Sequence, residues 1–241
     1  MRYYAVIFAK EIAMKNSIKS IEVGQRILSK NDKVAMELRE IYKKDSVFVV
    51  NLMSSPGSGK TTLLEHIAKE KLLGFSVVEG DLQTNRDAER LARFGVNAYQ
   101  ITTGEACHLE ALMIKDALEK LRNQGDLKEF MFIENVGNLV CPASYDLGAN
   151  MNIVLLSTPE GDDKVLKYPT MFLCADAVVI SKADLIEIFN FKIERVREDL
   201  AKLKKEIPLF LLSSKNKESL KKFCAFLQQK KEQNYVSSHT F

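Results

Sequence analysis

Tryptophan is absent from this 241-residue chain, and histidine (3), cysteine (4) and proline (5) are scarce. So few cysteines, with nothing that suggests secretion, argue against a disulfide framework. Charge of one sign is also missing. Thirty-five basic residues face 32 acidic ones, for a net +3, and no basic block carries the interleaved aromatics of a nucleic-acid surface. The longest apolar run near the start, Tyr3 to Ala9, is too short to span a bilayer. Lys10 and Glu11 follow it without a small-residue cleavage site, so it is a poor signal peptide. These absences exclude a nucleic-acid binder and a membrane protein, and point to the cytoplasm. Residues 1–13 read as a short strand or a disordered leader, with Met14 as an alternative start.

The length fits one large α/β domain with a small appendage. Apolar residues recur at three- and four-residue intervals from Ser17 to Lys44, which predicts an N-terminal helical arm. Gly24 and Ser29–Asp32 are expected to split it, with Asn31 or Asp32 as a cap. After the arm, short apolar runs alternate with helical patterns. Strands are expected at Val47–Met53, Phe75–Glu79, Ala98–Thr102, Phe130–Glu134, Asn152–Ser157, Ala177–Ser181 and Leu209–Leu212. Helices are expected from Thr61, and at Asp87–Phe94, Cys107–Arg122, Lys192–Lys205 and Glu218–Lys231. That alternation predicts a mostly parallel sheet with helices on both faces. The organisation is then an arm over 1–45, a nucleotide-binding domain over 46–233 and a tail over 234–241.

The first strand runs into Ser54-Ser55-Pro56-Gly57-Ser58-Gly59-Lys60-Thr61. Strand, glycine loop and helix are the context a phosphate loop needs. In the segment Pro56–Thr62, Gly57 and Gly59 let successive N–H groups from Gly57 onward turn toward phosphate oxygens, and the helix start adds its positive end. Lys60 reaches the β- and γ-phosphates, Thr61 is placed for Mg²⁺, and Thr62 follows in the same helix start. Ser54 stands where the motif has its first glycine. Asp81, in Glu79-Gly80-Asp81-Leu82-Gln83-Thr84, is placed to hold Mg²⁺ or to orient the attacking water; the plainer reading is a turn acid. Glu134-Asn135-Val136-Gly137 sits where a γ-phosphate sensor would be, with Gly137 donating its N–H and Glu134 in the acidic place.

Ser181-Lys182-Ala183-Asp184 is similar to the guanine-reading Asn-Lys-x-Asp motif of GTPases, with Ser181 for the asparagine. The Asp184 carboxylate can accept both guanine donors, and the Lys182 stem can cover the base. Ser213-Ser214-Lys215 resembles the second base loop. Either alone could be a helix cap; in this order they favour GTP over ATP.

Cys174 and Cys224 lie in apolar contexts and read as core residues. Cys107, His108 and Cys141 lie in polar, turn-rich surroundings. Thiolate and imidazole suit nickel, zinc or copper rather than magnesium. Adjacent residues on a helix point about 100° apart, so Cys107 and His108 can share an ion at a helix start, in a loop, or between two subunits. A two-fold interface would double the donor set. Cys141 follows the sensor glycine by four residues, so movement of Gly137 should move it. The alternative is two buried thiols and a surface histidine.

Five segments together, Asn51–Thr61, Glu79–Thr84, Thr103–Leu109, Glu134–Pro142 and Gly161–Lys164, resemble the HypB family of hydrogenase nickel incorporation proteins. The resemblance runs from about Ser17 to the end. It implies a dimerising P-loop GTPase of the SIMIBI type that hydrolyses GTP to GDP. It further implies nickel delivery to the large-subunit precursor of [NiFe]-hydrogenase, and in some bacteria to urease, with a HypA-type zinc protein as partner. The family's metal site carries over onto Cys107, His108 and Cys141 (Ni²⁺ or Zn²⁺), and its Mg²⁺ ligands onto Thr61, Asp81 and Glu134. The chain lacks the N-terminal cysteine motif or histidine-rich stretch of many members, so a nickel store is not expected. Slow hydrolysis is expected, since no arginine finger is evident. The alternatives are a urease-dedicated nickel GTPase, against which the missing Cys-x-His pattern counts, a zinc-stabilised scaffold without turnover, and an ATP-dependent kinase.

Overall fold

The computed structural model describes residues 27–81, 86–104 and 106–237. Expectations for the leader, the first part of the arm, residues Thr84 and Glu105, and residues 238–241 lie outside these. Seven strands form one sheet in the order β3-β2-β4-β1-β5-β6-β7, and every pairing is parallel. They are β1 (Phe48–Ser54), β2 (Phe75–Asp81), β3 (Ala98–Thr102), β4 (Phe130–Glu134), β5 (Met151–Ser157), β6 (Ala177–Ser181) and β7 (Leu209–Leu211). All seven coincide with the apolar runs of the sequence. Strands β1, β4 and β6 are buried along their whole length. A parallel strand covered on both faces needs apolar side chains at every position rather than at alternate ones.

Helices α2 (Lys60–Lys69), α3 (Arg86–Ala92), α4 (Ala111–Asn123), α5 (Lys164–Lys167), α6 (Pro169–Leu173), α7 (Ile193–Leu203) and α8 (Lys217–Ser237) cover the sheet, together with α1 over 27–45. Three apolar clusters result. Leu64 and Ile67 of α2 join Phe223 and Leu227 of α8 against one face. Leu38 and Tyr42 of α1 join Ile114 and Leu118 of α4 against the other. Met171, Phe172, Val196 and Leu200 fill a third cluster beside β5 and β6. Each fully buried large side chain contributes about 1.5–3 kcal/mol, so α1 is part of the core rather than an appendage to it.

Three expectations are corrected. Residues 27–45 are helical without a break at Ser29–Asp32; Asn31 is a cap, but of α4. Helix α4 starts at Ala111 rather than Cys107, because Leu109 leaves the helical path to pack on Gly80, where a Cβ would lie 2.8 Å from its Cδ1. Helix α8 runs on to Ser237, past the expected start of the tail.

Candidate functional site

Parallel strands place their carboxyl ends, and the loops that leave them, along one edge of the sheet, where ligands of open α/β folds bind. The loop after β1 turns at Gly57 (φ 71°) and Gly59 (φ 94°) into the N-terminus of α2. Both φ values fall in the left-handed region that glycine adopts at no steric cost. Lys60 is buried, and its Nζ donates to Ser54 Oγ at 3.0 Å. The serine in the first-glycine place therefore accepts from the buried lysine of the loop. Thr61 Oγ1 donates to Glu134 Oε1 at 2.7 Å.

A cavity of about 330 Å³ opens beside this loop, lined by Lys60, Thr61, Glu79, Arg90, Glu134 and Gly137 among others. Glu79 and Glu134 are register partners on β2 and β4, and both are buried. Two neighbouring buried carboxylates repel unless a cation shares their space. Their hard oxygens, with the Thr61 hydroxyl, fit Mg²⁺. Asp81 closes β2; its side chain lies outside the described residues. Gly137 touches the phosphate loop itself: a Cβ there would sit 2.8 Å from Pro56 Cα. The segment after β4 and the loop after β1 are thus in close contact.

On the other side of α2, Ser58, Gly59, Thr62, His66, Ser181, Lys182, Ser213 and Ser214 line a second cavity. Ser181 Oγ donates to Ser58 O at 2.6 Å, and Lys182 Nζ to Gly57 O at 2.8 Å. The segment that would read the base is bolted to the segment that would hold the phosphates. Asp184 accepts from Ser213 Oγ at 2.8 Å and pairs with Lys215 Nζ at 3.0 Å. The Lys215 ammonium, followed by the Ser213 hydroxyl, holds the Asp184 carboxyl below the usual carboxylate range.

The expected metal donors lie in two loops. Cys107 and His108 occupy the stretch between β3 and α4, with Sγ 3.7 Å from His108 Nδ1. Cys141 opens a 3₁₀ turn, Cys141–Ser144. The Cys107 sulfur beside it, then burial, pushes the Cys141 thiol above the ordinary cysteine range, while Asn138 opposes them. Asn138 forms a side-chain turn: its Oδ1 accepts from the N–H groups of Val140 (2.7 Å) and Cys141 (3.2 Å), and its Nδ2 lies 3.6 Å from Cys141 Sγ. His108 stacks on Tyr145 with ring centroids 3.8 Å apart. Among the described residues no group of three or more His, Cys, Asp or Glu side chains is arranged to hold a metal within one chain. Cys224 is buried, and burial pushes its thiol up to about 12; burial also raises Cys174.

Four residues of the site were not anticipated. Glu79 could have been found as an acid ending an apolar strand. Arg90 lines the phosphate cavity and pairs with Glu65 through Nε (2.9 Å) and an Nη (2.7 Å). His66, on α2, lines the base cavity. Glu160 accepts from Ser58 Oγ at 2.8 Å and from Ser55 Oγ, and so fixes the phosphate loop from a distance of over a hundred residues. Arg90 and Glu160 carry no local signal, because their partners lie on other elements.

Residues 48–210 match the family described as CobW/HypB/UreG, nucleotide-binding domain. The chain is similar to the hydrogenase/urease maturation factor HypB of Helicobacter pylori, with 63% identity over 227 residues, 93% of this chain and 94% of the relative. The crystal structure of HypB from Helicobacter pylori in complex with nickel superposes with a TM-score of 0.84, over 88% of this chain and 100% of that one. The signal recognition particle 54 kDa protein of Aeropyrum pernix shares the fold at 14% identity and a TM-score of 0.50, over 78% of this chain and 48% of that one. Among the described residues no helix is long and apolar enough to cross a membrane.

Proposed function

Since the chain belongs to the HypB family, within the CobW/HypB/UreG nucleotide-binding proteins, we propose that it is a cytoplasmic, Mg²⁺-dependent GTPase that carries nickel for enzyme maturation. In this reading it hydrolyses GTP to GDP slowly. It passes nickel toward the [NiFe]-hydrogenase large-subunit precursor, with a HypA-type zinc protein as partner. Urease is a second acceptor, as the name of the Helicobacter pylori relative suggests for that protein.

The residues divide the work. Lys60, released from Ser54, binds the β- and γ-phosphate oxygens, and the N–H groups of Gly57–Thr62 cradle them. Thr61, Glu134 and Glu79, with Asp81, would hold Mg²⁺, which would supply positive charge beside the phosphates. Gly137 donates its N–H to the γ-phosphate. Asp184 accepts the two guanine donors, and Ser181 and Lys182 fix the base loop to the phosphate loop. Nickel is cargo. Cys107, His108 and Cys141 take it between two copies of the chain, where the donor set doubles and zinc can compete. Val140, an apolar residue exposed beside Cys141, suits such a contact.

The observation that carries this reading is the chain of contacts from Pro56 through Gly137 to the Asn138 turn, which holds Cys141. A γ-phosphate that displaces Gly137 displaces a thiol. The test is an anaerobic nickel titration of the purified protein with GDP and with a non-hydrolysable GTP analogue. The expected result is a nucleotide-dependent affinity that disappears in Cys141→Ala. Equal affinity in both nucleotide states would overturn the coupling.

A further inference from the structure

We infer that Asn31, on α1 and outside both loops, is the positioning residue that holds the two halves of the metal site in register. Its side chain is buried, an unusual place for an amide in the middle of a helix. Both ends are used. Oδ1 accepts from the N–H of Ala111 at 2.8 Å, and Nδ2 donates to the carbonyl of Asp146 at 2.8 Å. Ala111 begins α4, three residues after His108, and Asp146 follows Tyr145, five residues after Cys141. One side chain therefore ties the Cys107–His108 loop to the Cys141 loop.

The first bond does what the local residue does not. Glu110, the cap position of α4, makes no side-chain cap bond, so Asn31 satisfies the first helical N–H from across the fold. The second bond fixes the far end of the segment that carries Cys141 and Tyr145. Further along α1, Arg39 makes an exposed ion pair of little worth with the Asp146 carboxylate, and Tyr42 Oη donates to Leu147 O at 3.3 Å. A planar amide that accepts at Oδ1 and donates at Nδ2 sets a fixed span between the loops. The His108–Tyr145 stack then closes the same gap from inside.

The inference rests on Cys107, His108 and Cys141 being the nickel donors, and its test separates the two ideas. Asn31→Leu removes both bonds. Asn31→Asp keeps an acceptor for Ala111 N–H and loses the donor to Asp146. Arg39→Ala, which touches neither bond, is the control. Nickel affinity and the thiolate-to-nickel charge-transfer band are read on the full chain with GTP analogue, beside steady-state GTPase. Both Asn31 variants are expected to bind nickel about 10- to 100-fold more weakly, as when an outer-shell partner of a metal ligand is lost, with kcat/KM for GTP unchanged. Arg39→Ala should bind nickel as the parent does.

Phenylarsine oxide, which joins two thiols through arsenic with loss of water, reads the loop spacing without nickel. It should bridge Cys107 and Cys141 in the parent and in Arg39→Ala, and much more slowly in the Asn31 variants. Parental nickel binding and bridging in a folded Asn31→Asp protein would overturn the inference, as would an equal loss in Arg39→Ala. Altered bridging with no thiolate–nickel band in any protein would leave Asn31 its positioning role and remove the nickel assignment. Should Asn31→Leu fail to fold, Asn31→Asp still decides.

Discussion

The phosphate loop and the cysteine loops lie along one edge of one sheet, yet they are built differently. The phosphate loop is held within one chain by hydrogen bonds with Ser181, Lys182 and Glu160. The cysteine loops carry exposed Cys107 and half-buried Cys141, and one chain does not gather a closed set of donors among its described residues. A site meant to turn over the same ligand in place gains from preorganisation. A site meant to give its ligand away gains from incompleteness, because opening an interface lowers its affinity in one step.

The sharpest way to break this contrast is Lys60→Ala. Loss of a preorganised phosphate contact should lower kcat by about 10²–10³-fold, while nickel binding in the GDP state persists; radiolabelled GTP turnover beside a nickel titration checks both. Asp184→Asn should weaken GTP by roughly a hundredfold, from two charge-assisted hydrogen bonds at about 1.5 kcal/mol each, and favour xanthosine triphosphate in a competition assay. It leaves the cysteine loops alone. Retained preference for guanine would contradict the assignment of the base loop.

Gly137→Ala tests the junction between the regions. The added methyl meets Pro56 backbone, and overpacking of this kind costs about 1–3 kcal/mol. It should lower both GTPase activity and the nucleotide dependence of nickel binding, in contrast to the first two variants. A normal value for either would mean the regions are less connected than their contacts suggest.

The smallest effect concerns pH. Asp184 is held low by Lys215, so its ionised form, and GDP affinity with it, should persist as pH falls through the ordinary aspartate value near 4. Affinity is lost only on passing the lowered value. Lys215→Gln should move that acid limb upward and change affinity at pH 7 little, since the pair is exposed. Fluorescent GDP binding against pH reads it, and an unmoved limb would assign the depression elsewhere.

The sheet was legible because burial on both faces writes itself as unbroken apolar runs, as in Phe48–Met53 and Phe130–Ile133. The phosphate loop was legible because its glycines, lysine and threonine are contiguous. What escaped depended on distance. Asn31 reads in sequence as a local cap, and its partners lie 80 and 115 residues away. The start of α4 was set too early because Cys107-His108-Leu109 continues a helical pattern until Leu109 meets Gly80. Glu160 and Arg90 act on the nucleotide side through partners on other elements, and no spacing rule connects them.

Those long spans also order events during synthesis. Asn31 emerges from the ribosome well before Ala111, and Asp146 later still, so its bonds must wait for two large chain closures, each slow to form in a parallel topology. The two cysteine loops therefore reach their working separation only after most of the sheet has been translated. A nascent or truncated chain that exposes Cys107 still lacks the brace that aligns it with Cys141. On the proposed reading, competence to accept a metal would then follow completion of the fold.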